Sequence, residues 1–140
     1  MEQLKLENQL CFPFYSVSRL IIRKYQPYLD RLGITYPQYL VMLVLWEKDG
    51  QTVNKIAQTL FLQTNTITPL LKRLEAQGIV SKQRSVTDER KVLVKLTANG
   101  KKMKARAAEI PYQLLEDISF PKDELLPLRD LLLRMIDALK

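Results

Sequence analysis

The sequence predicts a mainly α-helical fold with a small β-wing (α+β), and two patterns support this prediction. Apolar residues recur at the three- and four-residue steps of an amphipathic helix along most of the 140 residues. Between positions 79 and 97 this period gives way to alternating apolar and charged residues, which is typical of paired strands. The longest apolar run, at 40–46, is far too short to cross a bilayer. A chain of 140 residues is long enough for one buried core, so we expect one domain over residues 1–140.

A long helix is predicted first, with apolar residues at 10, 14, 17, 21, 25, 28 and 32. Pro13 suits its first turn, Pro27 predicts a kink or a restart, and Gly33 predicts its end. A second helix follows, because Thr35 and Gln38 have the spacing of a capping box. Its apolar run at 40–46 predicts that it is largely buried.

The next segment has the order short helix, tight turn, helix and two strands. Thr52 can open the short helix, and an apolar stripe from Ile67 to Leu74 marks the longer one. The strands are predicted at 79–85 and 91–97. With the helix before it, this order over residues 35–106 is that of a winged helix-turn-helix lobe.

The C-terminal part is predicted to be helical. Thr97 can cap a helix that runs toward Pro111, and a leucine-rich helix is predicted over 125–139. Pro121 marks a possible start of that last helix, and Pro127 predicts an interruption within it.

The basic charge is concentrated in one segment. Residues 51–106 carry twelve Lys and Arg against three Asp and Glu, whereas the segment before is nearly neutral and the one after is acidic. A solvated basic face is the simpler interpretation, but a concentrated block favours a polyanion such as DNA.

The second helix of a helix-turn-helix places its first residues at base edges in the major groove. Small polar residues at this helix start are often only caps, which is the alternative interpretation. Asp88 is expected to hold Arg90 by a salt bridge so that Arg90 can enter the minor groove. The predicted DNA-binding residues are Thr64, Asn65, Thr66, Thr68, Lys72 and Arg73 on the helix, and Arg84, Asp88, Arg90 and Lys91 on the wing.

The chain has no histidine and a single cysteine, Cys11. Catalysis by Ser-His or Cys-His pairs and the usual zinc sites are thereby excluded, and we expect neither a metal nor a cofactor. No intrachain disulfide can form, which fits a cytoplasmic location. A lone cysteine is often an inert core residue. However, Cys11 lies at the predicted start of a helix, where the helix dipole favours a thiolate, and five of the six tyrosines fall between 15 and 39.

Several motifs resemble the MarR family of bacterial regulators: ITPLLKRLEAQGIV (67–80), RSVTDERKVLVKLT (84–97) and LTANG (96–100). The segments KLENQLCFPFY, KYQPYLDRLGITYPQYL and MLVLWE resemble the one-cysteine organic hydroperoxide sensor branch of that family. The resemblance implies a homodimer built from N- and C-terminal dimerisation helices, at 1–34 and 107–140. It also implies winged lobes that bind a palindromic operator in double-stranded DNA.

The same resemblance implies that Cys11 is the redox sensor and that Tyr25 and Tyr36 donate hydrogen bonds to it across the dimer interface. An organic hydroperoxide would oxidise the thiolate to sulfenic acid. Without a second cysteine, the sulfenic acid would condense with a small-molecule thiol, close to a sulfenamide or overoxidise. Losing the tyrosine hydrogen bonds would reposition the helix that carries Tyr36 and release the DNA. The predicted function is thus a redox-sensing regulator, preferentially a repressor, and not an enzyme.

Three alternatives stay open from the sequence. The first is a MarR-type repressor released by a small phenolic or apolar ligand, with Cys11 structural. The second is a thiol peroxidase, which would have to turn over with a thiol reductant. The third is a winged-helix module that binds protein, which the basic block disfavours.

Overall fold

The architecture is described by a computed structural model for residues 1–88 and 91–140. It is mostly helical with a small antiparallel sheet, which confirms the predicted fold class. The chain divides into two compact units, Met1–Ala108 and Glu109–Lys140. No helix in these ranges is long and apolar enough to cross a membrane.

The first unit opens with two 3-10 turns, Glu2–Leu4 and Leu6–Asn8, and then the long helix α1 (Cys11–Leu32). Pro13 lies in the first turn of α1, where its missing N–H has no helical partner to lose. Gly33 ends the helix at φ 72°, a left-handed conformation that glycine adopts without steric cost.

The predicted restart at Pro27 is wrong, because α1 continues through that residue. The proline removes one backbone hydrogen bond, but Leu29 and Leu32 lie beyond it and are both buried. Burial of two leucine side chains contributes about 3–6 kcal/mol, enough to offset the roughly 3 kcal/mol cost of an internal proline.

Helix α2 (Tyr36–Glu47) forms the centre of this unit. Its predicted capping box is confirmed: the Gln38 N–H donates to Thr35 Oγ1 at 3.4 Å, and the Thr35 N–H donates to Gln38 Oε1 at 2.9 Å. Most of its apolar side chains are buried, as the sequence predicts: Tyr39, Val41, Met42, Val44 and Leu45.

The helix pair comprises α3 (Val53–Thr59) and α4 (Thr64–Ala76), which pack on each other. Thr52 caps α3 by accepting a hydrogen bond from the Lys55 N–H at 3.1 Å. The apolar stripe of α4 faces the core, since Ile67, Leu70, Leu71 and Leu74 are all buried.

The sheet consists of β1 (Gln51–Thr52), β2 (Val80–Arg84) and β3 (Val92–Leu96), in the order β1-β3-β2 with both pairs antiparallel. The two predicted strands are confirmed, but the sheet has a third. A strand of two residues is too short for alternation to be visible in sequence, which explains why β1 was not predicted.

Helix α5 (Ala98–Ala107) begins where predicted, with Thr97 accepting a hydrogen bond from the Gly100 N–H at 3.1 Å. The Thr97 hydroxyl lies 2.6 Å from the Gly78 carbonyl oxygen, so it can donate to that oxygen. A Cβ at Gly100 would lie 2.3 Å from the Ile79 carbonyl oxygen, so only glycine allows this approach. These contacts anchor the base of the sheet to the start of α5.

The second unit contains α6 (Ile110–Asp117) and α7 (Lys122–Leu139). Pro121 precedes α7, as predicted, but the interruption predicted at Pro127 is wrong. This proline lies in the second turn, where the lost hydrogen bond is close to a helix end that already lacks several. Several leucine side chains of α7 are exposed: Leu126, Leu128, Leu131 and Leu133.

Candidate redox site and nucleic-acid interface

Cys11 is the first residue of α1, and its side chain is exposed in the single chain. It lies within an exposed apolar segment that includes Leu10, Phe12, Phe14 and Tyr15. In the single chain, Cys11 is therefore not an inert core residue. Contiguous exposed apolar side chains of this kind are typical of an interaction surface.

Three tyrosines form a cluster between α1 and α2. The ring centroids of Tyr25 and Tyr36 are 4.9 Å apart, and those of Tyr25 and Tyr39 are 5.7 Å apart. Burial, with the neighbouring Tyr36 and Tyr39, raises the pKa of Tyr25 to about 12. Burial also raises the pKa of Tyr36 and of Tyr39. A phenol of ordinary pKa is already protonated at neutral pH, and these raised pKa values extend the range in which the three phenols remain hydrogen-bond donors into alkaline pH.

Cys11 does not join this tyrosine cluster within one chain. Cys11 and Tyr25 lie on the same continuous helix, separated by fourteen residues. At 1.5 Å per residue this separation is about 21 Å, far beyond hydrogen-bond reach. The structure thus brings together Tyr25 and Tyr36 of the three predicted sensor residues, and leaves Cys11 apart.

Two aromatic residues that the sequence reasoning did not select extend the cluster. Tyr39 lies 6.1 Å from Tyr36 and 6.4 Å from Trp46, between ring centroids. The Trp46 Nε1–H donates to the Gly100 carbonyl oxygen at 2.9 Å, and the Lys104 Nζ donates to the Trp46 carbonyl oxygen at 3.2 Å. Ring and hydrogen-bond contacts therefore run from the tyrosine cluster to α5 and the base of the sheet. Helical spacing on α2 was the available signal for Tyr39.

The raised pKa of Tyr25 predicts a loss of stability at alkaline pH. The contribution of the neutral phenol is fully present below pH 10 and is lost as pH rises toward 12, because the unfolded phenol ionises first. We expect the free energy of unfolding, measured by urea titration with Trp46 fluorescence, to fall less steeply over this range in Tyr25→Phe than in wild type. Tyr112→Phe, at an exposed tyrosine, is the matched control. Equal slopes in Tyr25→Phe and wild type would contradict the prediction.

The polar face of α4 is open to solvent. Thr64, Asn65 and Thr66 form its first turn and are exposed, as are Lys72 and Arg73 further along. The helix is preceded by Gln63, which makes no side-chain capping bond, so the small polar residues lie inside the helix and do not act as its cap. The Thr68 hydroxyl donates to the Thr64 carbonyl oxygen at 2.8 Å within the same helix.

The wing extends beyond β2 and β3. The Ser85 N–H donates to the Lys91 carbonyl oxygen at 2.8 Å, and the Lys91 N–H donates to the Asp88 carbonyl oxygen at 3.0 Å. Arg84 and Lys91 are exposed at its two sides. The predicted Arg90, and with it the Asp88–Arg90 salt bridge, lies outside the described residues.

Comparison with known proteins identifies the family. A family model described as transcriptional regulator SarA/Rot matches residues 23–107. The organic hydroperoxide resistance transcriptional regulator of Bacillus subtilis strain 168 is 44% identical over 138 residues, which cover 99% of this chain and 94% of that protein. The chain belongs to the MarR family of transcriptional regulators, in its organic hydroperoxide sensor branch.

Two solved structures of the regulator AbfR, which occurs in Staphylococcus epidermidis, are similar to this MarR-family chain over its whole length. Reduced AbfR bound to DNA is 41% identical with a TM-score of 0.82, and covers 99% of this chain and 96% of its own. Overoxidised AbfR bound to DNA is 40% identical with a TM-score of 0.80, and covers 99% and 98%. The winged helix-turn-helix fold is therefore shared with regulators solved on DNA.

Proposed function

We propose that this chain is a homodimeric, redox-sensing transcriptional regulator that leaves its operator when an organic hydroperoxide oxidises Cys11. The observation that supports this most is the layout of α1. An exposed cysteine opens the helix, and the protonated Tyr25 and Tyr36 lie together about 21 Å further along. A second copy can supply the donors that the cysteine lacks in its own chain.

The proposed dimer uses the two ends of the chain, residues 1–34 and 107–140. The first half of α1 exposes apolar and aromatic side chains, and α7 exposes leucine side chains. Burial of these side chains between two subunits would stabilise a dimer. The segment 35–106 then forms the DNA-binding lobe of each subunit. Two lobes related by a two-fold axis fit a palindromic operator.

The proposed chemistry is a two-electron oxidation of sulfur. The Cys11 thiolate attacks the distal peroxide oxygen, the O–O bond breaks, and the alcohol leaves after taking up a proton. Sulfur is oxidised to sulfenic acid and the peroxide is reduced. A small-molecule thiol then attacks the sulfenic sulfur, forms a mixed disulfide and releases water. The phenol groups of the partner subunit's Tyr25 and the partner subunit's Tyr36 would stabilise the initial thiolate by hydrogen bonding.

A bulky adduct on Cys11 would separate the sulfur from the tyrosines and free α2 to shift. Tyr39 and Trp46 on α2 contact the rest of the cluster and the Gly100 carbonyl oxygen, so a shift of α2 would reach the base of the sheet. AbfR has been solved on DNA both in the reduced form and in the overoxidised form. For this chain we therefore propose the mixed disulfide, and not overoxidation, as the released state.

The proposed DNA interface is the exposed face of α4 together with the wing. The first residues of α4 would meet base edges, and the basic residues after them would meet phosphate or a guanine edge. Arg90 is proposed to reach the minor groove with the help of Asp88. The whole set is Thr64, Asn65, Thr66, Thr68, Lys72, Arg73, Arg84, Asp88, Arg90 and Lys91.

The proposed function predicts release by oxidant in the presence of a thiol. A duplex selected from a random pool by the reduced protein is labelled, and its affinity is measured by fluorescence anisotropy. Cumene hydroperoxide with a low-molecular-weight thiol should weaken binding about 100-fold, and mass spectrometry should find the thiol added to Cys11. Release by salicylate without release by hydroperoxide would instead support the ligand-responsive alternative. Multiple turnovers of peroxide per subunit would support a peroxidase.

A further inference from the structure

A cavity of about 550 Å³ lies between the helix pair and the sheet. Residues from α3, from α4 and from both long strands or their ends line it. Three of the lining residues are lysines from three different segments: Lys55 on α3, Lys82 on β2, and Lys91 just before β3. The other polar residues of the described lining are uncharged and can donate hydrogen bonds, namely Thr52, Asn54, Gln58 and Thr68.

One carboxylate, that of Glu75, contacts one of these lysines, Lys82. Glu75 Oε1 lies 3.8 Å from Lys82 Nζ, and Glu75 Oε2 accepts a hydrogen bond from the Lys82 N–H at 3.1 Å. The Lys82 side chain lines the cavity beside this carboxylate, with 26% of its surface exposed. Among the described residues, the lining includes three lysines and neither Asp nor Glu, so its charge stays positive even when the neighbouring Glu75 is counted.

The cavity also lies next to the exposed polar face of α4. Thr68 lines the cavity and bonds to Thr64, which is in the first turn of that face. In a helix-turn-helix, the first helix of the pair crosses the DNA backbone while the second enters the major groove. Asn54 and Lys55 of α3 are therefore placed where the backbone would pass.

We propose that this cavity binds a backbone phosphodiester of the DNA, with Lys55 and Lys82 as previously unassigned phosphate ligands beside Lys91. Lysine ammonium groups bind phosphate oxygens as point charges without fixed geometry, which fits long side chains that line one cavity from three separate segments. The bound phosphate connects the helix pair to the sheet and fixes the wing relative to α4. This inference rests on the proposed DNA-binding function.

The test measures affinity against salt for Lys55→Gln, Lys82→Gln and the double variant. Binding to the selected duplex and to an unrelated duplex is titrated between about 50 and about 300 mM KCl. Each substitution removes one phosphate contact from each subunit of the proposed dimer, so it should reduce the slope of log K against log[salt] by about 1.8, and should weaken both duplexes by the same factor. Lys48→Gln, at an exposed lysine that lies outside both the cavity and the proposed dimer segments, should change neither quantity by a comparable amount.

The other outcomes separate the two proposals. Absence of DNA binding by the wild type would overturn the proposed function itself. A wild type that binds DNA, with both variants keeping its salt slope, would overturn the phosphate site alone. Loss of affinity for the selected duplex only would indicate a base contact and would also overturn it. Lys55→Arg and Lys82→Arg should keep the slope, which controls for misfolding.

Pyrophosphate distinguishes DNA from a small anion as the occupant. It should compete with DNA for the wild type at millimolar concentration and less for the double variant, because both ligands present phosphate oxygens. If the double variant loses pyrophosphate binding but keeps the affinity and salt slope for DNA, the cavity is a small-anion site and the proposal is wrong.

Discussion

A Cys11→Ser protein is expected to bind its operator as tightly as the wild type and to keep it after hydroperoxide treatment. The hydroxyl occupies nearly the volume of the thiol but has no thiolate form at neutral pH, so it cannot attack the peroxide. Under the same treatment the wild type should lose about 100-fold in affinity. Both proteins would be titrated against the selected duplex by fluorescence anisotropy, before and after oxidant with thiol.

Methionine oxidation is the competing cause of release, since the chain has four methionines and two of them, Met42 and Met103, are in the core. The serine variant controls for it, because its methionines are unchanged. If Cys11→Ser also dissociates on oxidation, Cys11 is not the sensor, and peptide mass spectrometry would then show which methionine is oxidised.

The elements predicted from sequence were those whose signals are local. The capping box of Thr35 and Gln38 spans four residues, and the stripe from Ile67 to Leu74 spans little more than two turns. The LTANG phrase also has a local reason, because Thr97 caps α5 and Gly100 allows the close approach to Ile79. These features depend on the order of neighbouring residues, which the sequence displays directly.

The errors came from tertiary effects. A proline predicts an interruption when only the backbone hydrogen bond that it removes is considered. The helix continues beyond Pro27 because Leu29 and Leu32 are buried, and this burial cannot be predicted from the residues next to the proline. The strand β1 exists because Gln51 and Thr52 pair with Val94 and Leu93 of β3. Such a pairing between distant residues cannot be predicted from a local pattern.

The candidate site was predicted in part for the same reason. Tyr25 and Tyr36 were selected through the family resemblance, and the structure places them in contact. The bond from Trp46 to Gly100 joins residues 54 positions apart, and the three lysines of the cavity come from separate elements. Only the folded chain brings such groups together, so neither was accessible to sequence patterns.

The sensor site is predicted to be shared between subunits, and the oxidation rates of mixed dimers test this prediction. One mixed dimer pairs a Cys11→Ser subunit with a subunit that carries Tyr25→Phe and Tyr36→Phe. If donors and thiol come from different subunits, its remaining cysteine faces intact tyrosines and should be oxidised at the wild-type rate per site. A homodimer of the tyrosine variant should react about tenfold more slowly, because the thiolate loses hydrogen bonds worth roughly 1.5 kcal/mol.

The reciprocal mixed dimer carries all three substitutions on one subunit and pairs it with a wild-type subunit. Its remaining cysteine then has intact tyrosines on its own chain but faces two phenylalanines across the interface, so it should react at the slow rate. The reason is the length of α1: about 21 Å of continuous helix keeps Cys11 away from the Tyr25 of its own chain. Dimers assembled from differently tagged subunits would be purified, and loss of thiol would be followed after rapid mixing with hydroperoxide. If the reciprocal dimer is oxidised rapidly and the first mixed dimer slowly, the thiol and the tyrosines of one site lie in the same chain. If all dimers lose their thiol at the same rate, the tyrosines do not activate Cys11.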